Sequence, residues 1–443
     1  MLKTPPAHSD AECVNRLRTA VLAAAAAAVC IALPAAGQAI TAPAGSPGYN
    51  WAARSMRDLV THHGWSASDA GSLGRTATRR QLARGLSELM IARGQRPPSH
   101  LVLPPDISST DPDATAISWV STTRLLGAPG APFNPAGTFT GRTADIAAVR
   151  VLGLAPEVRG LDTLHTANGL RIAIPSAFGQ VVLANELGLH HDYALQYENL
   201  ETNVNQPMPV ADLAGMVSAA IHLSPWQLAG VSRFSTIVLP NMTAHQLTVV
   251  RSALAEVGYP YVWGGTSPAP QTLFGANVAG GFDCSGLVWW AYKVNPTAAA
   301  EGLGSGIRGR TADQMAWEAP SQRVSVAKLK PGDLVFFGPN GIRTPRGGIS
   351  HAAISLGNGW IVQSVGGRGV TVTYNPTWWP SGIAWGRRLP SMVGGAIVGG
   401  SAGITPPAST PPTQPSPPAQ PSSGTPGLVP GSGASGSGAA PKP

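Results

Sequence analysis

Apolar residues recur at two different periods along the chain. In the first half the period is helical. Between Arg79 and Met90, the residues Leu82, Leu86, Leu89 and Met90 fall at i, i+4, i+7 and i+8, one face of an amphipathic helix. Ala116-Ile117-Ser118-Trp119-Val120 opens another helix that ends near Gly127. From Trp51 to about Leu239 the pattern predicts mostly helices, in short segments broken by Pro and Gly, and Thr243 to about Val257 adds one more. After Leu329 the period falls to two. Leu329-Lys330-Pro331-Gly332-Asp333 reads as a turn feeding the apolar strand Leu334-Val335-Phe336-Phe337. In the next run His351, Ala353 and Ser355 share one face, and Ala352, Ile354 and Leu356 the other. Gly357-Asn358-Gly359 turns the chain into Trp360-Ile361-Val362-Gln363-Ser364-Val365, and Gly382 to Leu389 predicts a last strand.

Composition divides the chain further. Residues 1–39 read as a secretory signal: Lys3, Arg16 and Arg18 precede the apolar run Val21 to Leu33, and Gly37-Gln38-Ala39 fits a small-residue cleavage site. The run is too short for a membrane span, so no transmembrane anchor is expected after cleavage. Residues 40–50 read as a linker, 51–242 as a helical region, 243–393 as a second domain, and 394–443 as a disordered tail rich in Pro, Gly, Ser and Ala. Cys13 and Cys30 leave with the signal, and Cys284 remains. The formal charge of +8 suits anionic surfaces such as bacterial wall polymers. There is no Lys/Arg block with interleaved aromatics, so nucleic acid is not an expected partner.

The helical region shows a faint self-similarity. Helix starts at Thr78-Arg79-Arg80-Gln81, Thr143-Ala144-Asp145, Met208-Pro209-Val210-Ala211-Asp212 and Met242-Thr243-Ala244 are alike in position and type. Roughly residues 55–250 loosely resemble S-layer-homology repeats, which implies a grip on anionic wall polymers. A plain helical domain packed on its neighbour is the other reading. The paired histidines His62-His63 and His190-His191 lack partners at metal-ligand spacing and are read as surface or cap residues. No metal or cofactor is expected.

Candidate chemistry gathers on Gly281-Phe282-Asp283-Cys284-Ser285-Gly286-Leu287-Val288. Asp283 fits a helix N-cap, which places Cys284 in the first turn, where unpaired amides and the helix dipole favour a thiolate. A thiol hydrolase also needs a base and a group to orient it. His351, on a strand, is the candidate base. Gln363 is the candidate orienter, and strand parity tests it. A two-residue turn at Asn358-Gly359 would put His351 and Gln363 on opposite faces. A three-residue loop with a bulge makes them diagonal neighbours on one face. Arg343 and Arg346, ahead of His351, suit a substrate carboxylate.

Five segments in one order carry a specific resemblance: Tyr261-Val262-Trp263-Gly264-Gly265, Phe282 to Val288, Leu329 to Phe337, His351 to Gly359, and Trp385-Gly386-Arg387-Arg388. Together, over roughly 243–390, they resemble the NlpC-type peptidoglycan endopeptidases of the papain-like class. The resemblance implies an α+β domain in which the helix bearing the Cys packs on an antiparallel sheet. It implies Cys284 as nucleophile, His351 as base and Gln363 as third polar residue, where the family often has His. Tyr261, Asp283 and Ser285 are then expected to contact substrate. The implied reaction is hydrolysis of a peptide-stem bond of peptidoglycan, often between D-glutamate and the diamino acid. Two readings follow: an exported cysteine endopeptidase acting on stem peptides, or a non-catalytic wall-binding protein.

Overall fold

Three helix starts in the first half of the chain satisfy their unpaired amides in the same way. The first N–H groups of a helix have no intrahelical partner. In the computed structural model, which describes residues 47–374 and 382–399, these groups are capped by other segments. Arg79 and Arg80 N–H, opening the helix Arg79–Ala92, donate to the Gly137 and Pro135 carbonyls at 2.8 and 3.0 Å. Gly141 and Arg142, opening Gly141–Val151, donate to Gln206 and Val204 at 3.2 and 2.7 Å. Val210 and Ala211, opening Val210–Ile221, donate to Arg75 and Leu73 at 2.8 and 2.9 Å. Each start is thus capped by the strand-like residues that lead into another unit, and the three units close into a ring through the bridges Thr78↔Thr138, Thr140↔Pro207 and Thr76↔Pro209. Side chains add caps of their own: Thr78 and Gln81 form a capping box, and Thr140 accepts from Thr143 N–H. The fourth start that the self-similarity picks out lies outside the ring. Its helix, Ala244–Leu254, packs on the second half.

Leu82, Leu86, Leu89 and Met90 are all buried, as their spacing predicts. Other expectations change. The linker read over 40–50 gives way by Pro47–Ala52, a 3₁₀ helix whose Tyr49 is buried edge-on to Tyr193 at 6.0 Å. His190 and His191 are half-buried and held by partners: His190 pairs with buried Asp145 at 3.1 Å, and His191 stacks on Trp51 at 3.5 Å. Burial holds the His191 imidazole down to a pKa of about 4. The chain also stays with the fold past Gly394, since Ile397 bridges Thr243 and Asn168 Nδ2 donates to the Val398 carbonyl at 2.8 Å. The signal segment, the first part of the linker and the tail beyond 399 lie outside the described residues. Among the described residues no helix is long and apolar enough to cross a membrane, and no group of His, Cys, Asp and Glu is placed to hold a metal ion.

The second half is built on a sheet. β1 (Thr266–Ser267) pairs with β4 (Gly281–Phe282), and β2 (Gln271–Leu273) with β3 (Ala276–Val278). The remaining six strands form one antiparallel sheet in the order β5 (Arg323–Val324), β10 (Ile383–Arg387), β6 (Leu334–Phe337), β7 (His351–Gly357), β8 (Trp360–Val365), β9 (Gly369–Tyr374). The cysteine helix Cys284–Trp289 packs on β7 and β8. This is the expected α+β arrangement.

The two halves share one apolar core. The helix Phe178–Glu186 packs on β9, where Asn185 Nδ2 donates to the Val370 carbonyl at 3.2 Å. Val204 N–H donates to the Gly258 carbonyl at 3.1 Å, and Trp263 N–H donates to Glu198 Oε1 at 2.8 Å.

The Trp-Gly-Arg-Arg segment earns its place by closing the far side of the sheet. Arg388 donates to both oxygens of buried Asp333, at 2.8 and 2.6 Å. Arg387 is 1% exposed and donates to Gln322 Oε1, Glu318 Oε1 and the carbonyls of Met315 and Gly306, at 2.9, 2.7, 2.8 and 2.6 Å. Removing a buried charge strands its partners. Arg387→Met is therefore expected to cost about 3 kcal/mol of unfolding free energy. Urea unfolding checks this: the midpoint should fall with the slope unchanged.

Candidate active site

Cys284 is the first residue of its helix. Asp283 is the N-cap in extended conformation, and one of its oxygens accepts from Gly286 N–H. Gly286 has to be glycine, because a Cβ there would collide with the Gly265 carbonyl. The helix start is therefore pressed onto the Val262–Gly265 turn. Arg310 fastens the two together. Its guanidinium meets Asp283 Oδ1 and Oδ2 at 3.1 and 3.0 Å, Ser285 Oγ at 2.8 Å, and the Gly264 and Gly265 carbonyls at 3.1 and 3.2 Å. Gly264 N–H donates to Asp283 Oδ2 at 3.0 Å, and Ser285 Oγ donates to Oδ1 at 3.0 Å. Asp283 and Ser285 thus spend their polar atoms on holding the segment that carries Cys284, whereas the sequence predicts substrate contact for both. Arg310, the centre of this network, escapes sequence reasoning because it lies in a Gly-rich loop of no regular pattern.

His351 is the first residue of β7. The register Ile354↔Val362 and Ser355↔Ile361 shifts at Gly357↔Trp360, so the hairpin has the bulged loop and not the two-residue turn. Gly357, Asn358 and Gly359 all take positive φ, of 81, 52 and 82°. The bulge makes Gln363 the diagonal neighbour of His351 on one face, and His351 Nε2 lies 2.8 Å from Gln363 Oε1. His351 is 5% exposed, Gln363 0% and Cys284 9%. Phe337 lies against the imidazole at a ring separation of 5.3 Å. Burial pulls the His351 pKa down to about 4, against the opposing pull of Gln363. His351 is therefore a neutral imidazole at neutral pH.

The hydrogen bonds continue beyond Gln363. Its Nε2 donates to Thr373 Oγ1 on β9 at 2.9 Å, and Thr373 Oγ1 donates to Glu186 Oε1 at 2.9 Å. Glu186 ends a helix of the first half. Thr371 Oγ1 also donates to its Oε1 at 3.5 Å, and Arg368 donates to its Oε2 at 3.2 Å. Burial raises the Glu186 carboxyl above its ordinary value, and Arg368 and the two threonine hydroxyls offset only part of that rise.

The remaining predicted residues are more peripheral. Tyr261 forms a parallel bridge with Phe282, two residues before Cys284, and lines a pocket with Asp192, Glu201 and Asn203 of the first half. Arg343 and Arg346 are exposed on the loop before β7. Asp313 Oδ1 anchors that loop by accepting from Gly347 and Ile349 N–H at 2.8 and 3.2 Å.

The NlpC/P60 family model matches residues 258–384. Peptidoglycan endopeptidase RipB of Mycobacterium tuberculosis is 36% identical over 143 residues, covering 31% of this chain and 51% of that protein. Gamma-DL-glutamyl hydrolase of Bacillus subtilis is 34% identical over 145 residues, covering 32% of this chain and 29% of its own. Among solved structures, the NlpC/p60 domain of the peptidoglycan hydrolase SagA is 26% identical, covers 32% of this chain and 98% of that chain, and aligns with a TM-score of 0.24. The chain spans about half the length of RipB and under a third of the hydrolase.

The lowered imidazole pKa has a measurable sign. An exposed His titrates near 6.5. Between that value and about 4 the unfolded chain binds the proton and the folded one does not, so folding is favoured less as pH falls through this window. Above it His351 contributes no pH dependence. An NMR titration should place the His351 ring resonances at a midpoint of about 4. A midpoint near 6.5 would show an imidazole open to water.

Proposed function

We propose, from the match of residues 258–384 to the NlpC/P60 family model, that the protein is an exported cysteine endopeptidase that hydrolyses a stem-peptide bond of bacterial peptidoglycan, between D-glutamate and the diamino acid. One observation carries the reading: Cys284 opens a helix seated on β7, whose first residue His351 is held at 2.8 Å by Gln363. The printed activities of the similar proteins, a peptidoglycan endopeptidase and a gamma-DL-glutamyl hydrolase, support the substrate class.

In this reading His351 takes the Cys284 proton as the sulfur attacks the scissile carbonyl carbon. It returns that proton to the leaving amine, and a thioester remains on Cys284. Water, deprotonated by the same imidazole, then releases the acid and restores the thiol. Gln363 orients the ring throughout. Arg343 and Arg346, exposed ahead of the base, meet a stem-peptide carboxylate, and Tyr261 lines the approach. The ring of helical units would lie along the wall and hold anionic polymer.

A second reading, a non-catalytic wall-binding protein, is favoured by the burial of Cys284 and His351 and by the neutral residue at position 363. Digestion of purified peptidoglycan separates the two. The protein should release stem-peptide fragments identifiable by mass spectrometry, and Cys284→Ala should release none. Silence from both, with binding to intact wall retained, would favour the second reading. Charge reversal at the loop, Arg343→Glu with Arg346→Glu, is expected to raise KM roughly tenfold with little change in kcat. An unchanged KM would remove both arginines from the substrate site.

A further inference from the structure

We infer that Glu186, contributed by the first half of the chain, is a positioning residue for the base His351, which it orients through Thr373 and Gln363. The inference rests on the hydrolase reading above and on which groups along the relay can donate and which can only accept. A carboxylate only accepts hydrogen bonds. Around Glu186 every recorded partner donates: Thr373 Oγ1 at 2.9 Å, Thr371 Oγ1 at 3.5 Å and Arg368 at 3.2 Å.

Thr373 has one hydroxyl proton, and giving it to Glu186 leaves the oxygen as an acceptor. The group facing that oxygen must then donate. It is Gln363 Nε2, at 2.9 Å. With its amide nitrogen turned to Thr373, Gln363 presents Oε1 to His351 at 2.8 Å. Oε1 can only accept, so His351 carries its proton on Nε2 and keeps a lone pair on Nδ1. That is the tautomer a base needs if its other nitrogen is to take the thiol proton. A flipped Gln363 amide would face His351 with a donor and require the opposite tautomer. It would also set two acceptors, Gln363 Oε1 and the Thr373 oxygen, against each other unless Thr373 abandoned Glu186. The carboxylate therefore fixes the direction of every bond between it and the base.

The same relay offsets part of what Gln363 lacks. A neutral orienter gives a forming imidazolium no countercharge. Glu186 acts on the ring through three hydrogen bonds, as bond polarisation and not as a bare charge, since its carboxylate is already paired with Arg368 at 3.2 Å and its side chain is only 9% exposed.

The test uses the full mature chain and two readouts. One is the rate of Cys284 alkylation by iodoacetamide across pH, which needs no substrate. The other is kcat and KM on stem peptide. Glu186→Gln should lower the alkylation rate and kcat together by about tenfold while KM changes less than twofold. Thr373→Val cuts the relay inside the sheet and leaves the Glu186 carboxyl and its Arg368 pair in place. It should show the same loss, and the double variant no further loss. Asn185→Ala loosens the same helix from β9 but leaves the relay intact, so it should lower Tm without changing the alkylation profile. Wild-type alkylation in both relay variants, or an equal loss in Asn185→Ala, would overturn the inference. Failure of the wild-type protein to digest peptidoglycan would instead sink the hydrolase reading, and the alkylation comparison would still judge the relay.

Discussion

The hydrogen bond between His351 and Gln363 is made where neither side chain meets bulk water, and the rest of the site is arranged to suit that fact. A buried charge is costly unless it is paired, and a buried polar group is costly unless it is bonded. A neutral amide facing a neutral imidazole avoids the first cost and meets the second. The consequence is a resting imidazole that carries a single proton and no charge. In the proposed hydrolysis, charge would come to the ring only as the Cys284 thiol gave up its proton, so stabilisation would be called for at the moment of reaction and not before.

Position follows from the same constraint. A hydrogen bond of this kind cannot tolerate a slipped register, because a shift of one residue would carry Gln363 to the opposite face. The bulge at Gly357-Asn358-Gly359, with three consecutive positive φ angles, fixes the register. On the other side of the site, Arg310 locks the helix start to the turn that precedes it, so the sulfur is presented by a segment with little freedom.

Much of this was legible in the sequence, and the limits follow distance along the chain. The buried face of Arg79–Ala92, the strand carrying His351 and the Asp283 cap are local patterns, written in periodicity and composition. Even the pairing of His351 with Gln363 was open to reading, since parity across one tight turn left two alternatives. Arg310, Asp313 and Glu186 were not legible. Each acts through partners far away in sequence, and nothing in their immediate neighbours marks them. The linker and tail boundaries were misplaced for a related reason. Pro and Gly suggest freedom, but Tyr49 and Ile397 are held by contacts that composition does not encode.

The closed ring of the first half bears on how the chain is made. The amides that open Val210–Ile221 find their acceptors at Arg75 and Leu73, so the first unit and the third must both exist before the ring can close. During synthesis at about 5–20 residues per second, the earlier residues wait on the order of ten seconds for the later ones to emerge. A half-made ring presents bare helix ends and uncovered apolar faces for that interval. The emerging chain thus passes through an aggregation-prone stage that its finished structure conceals.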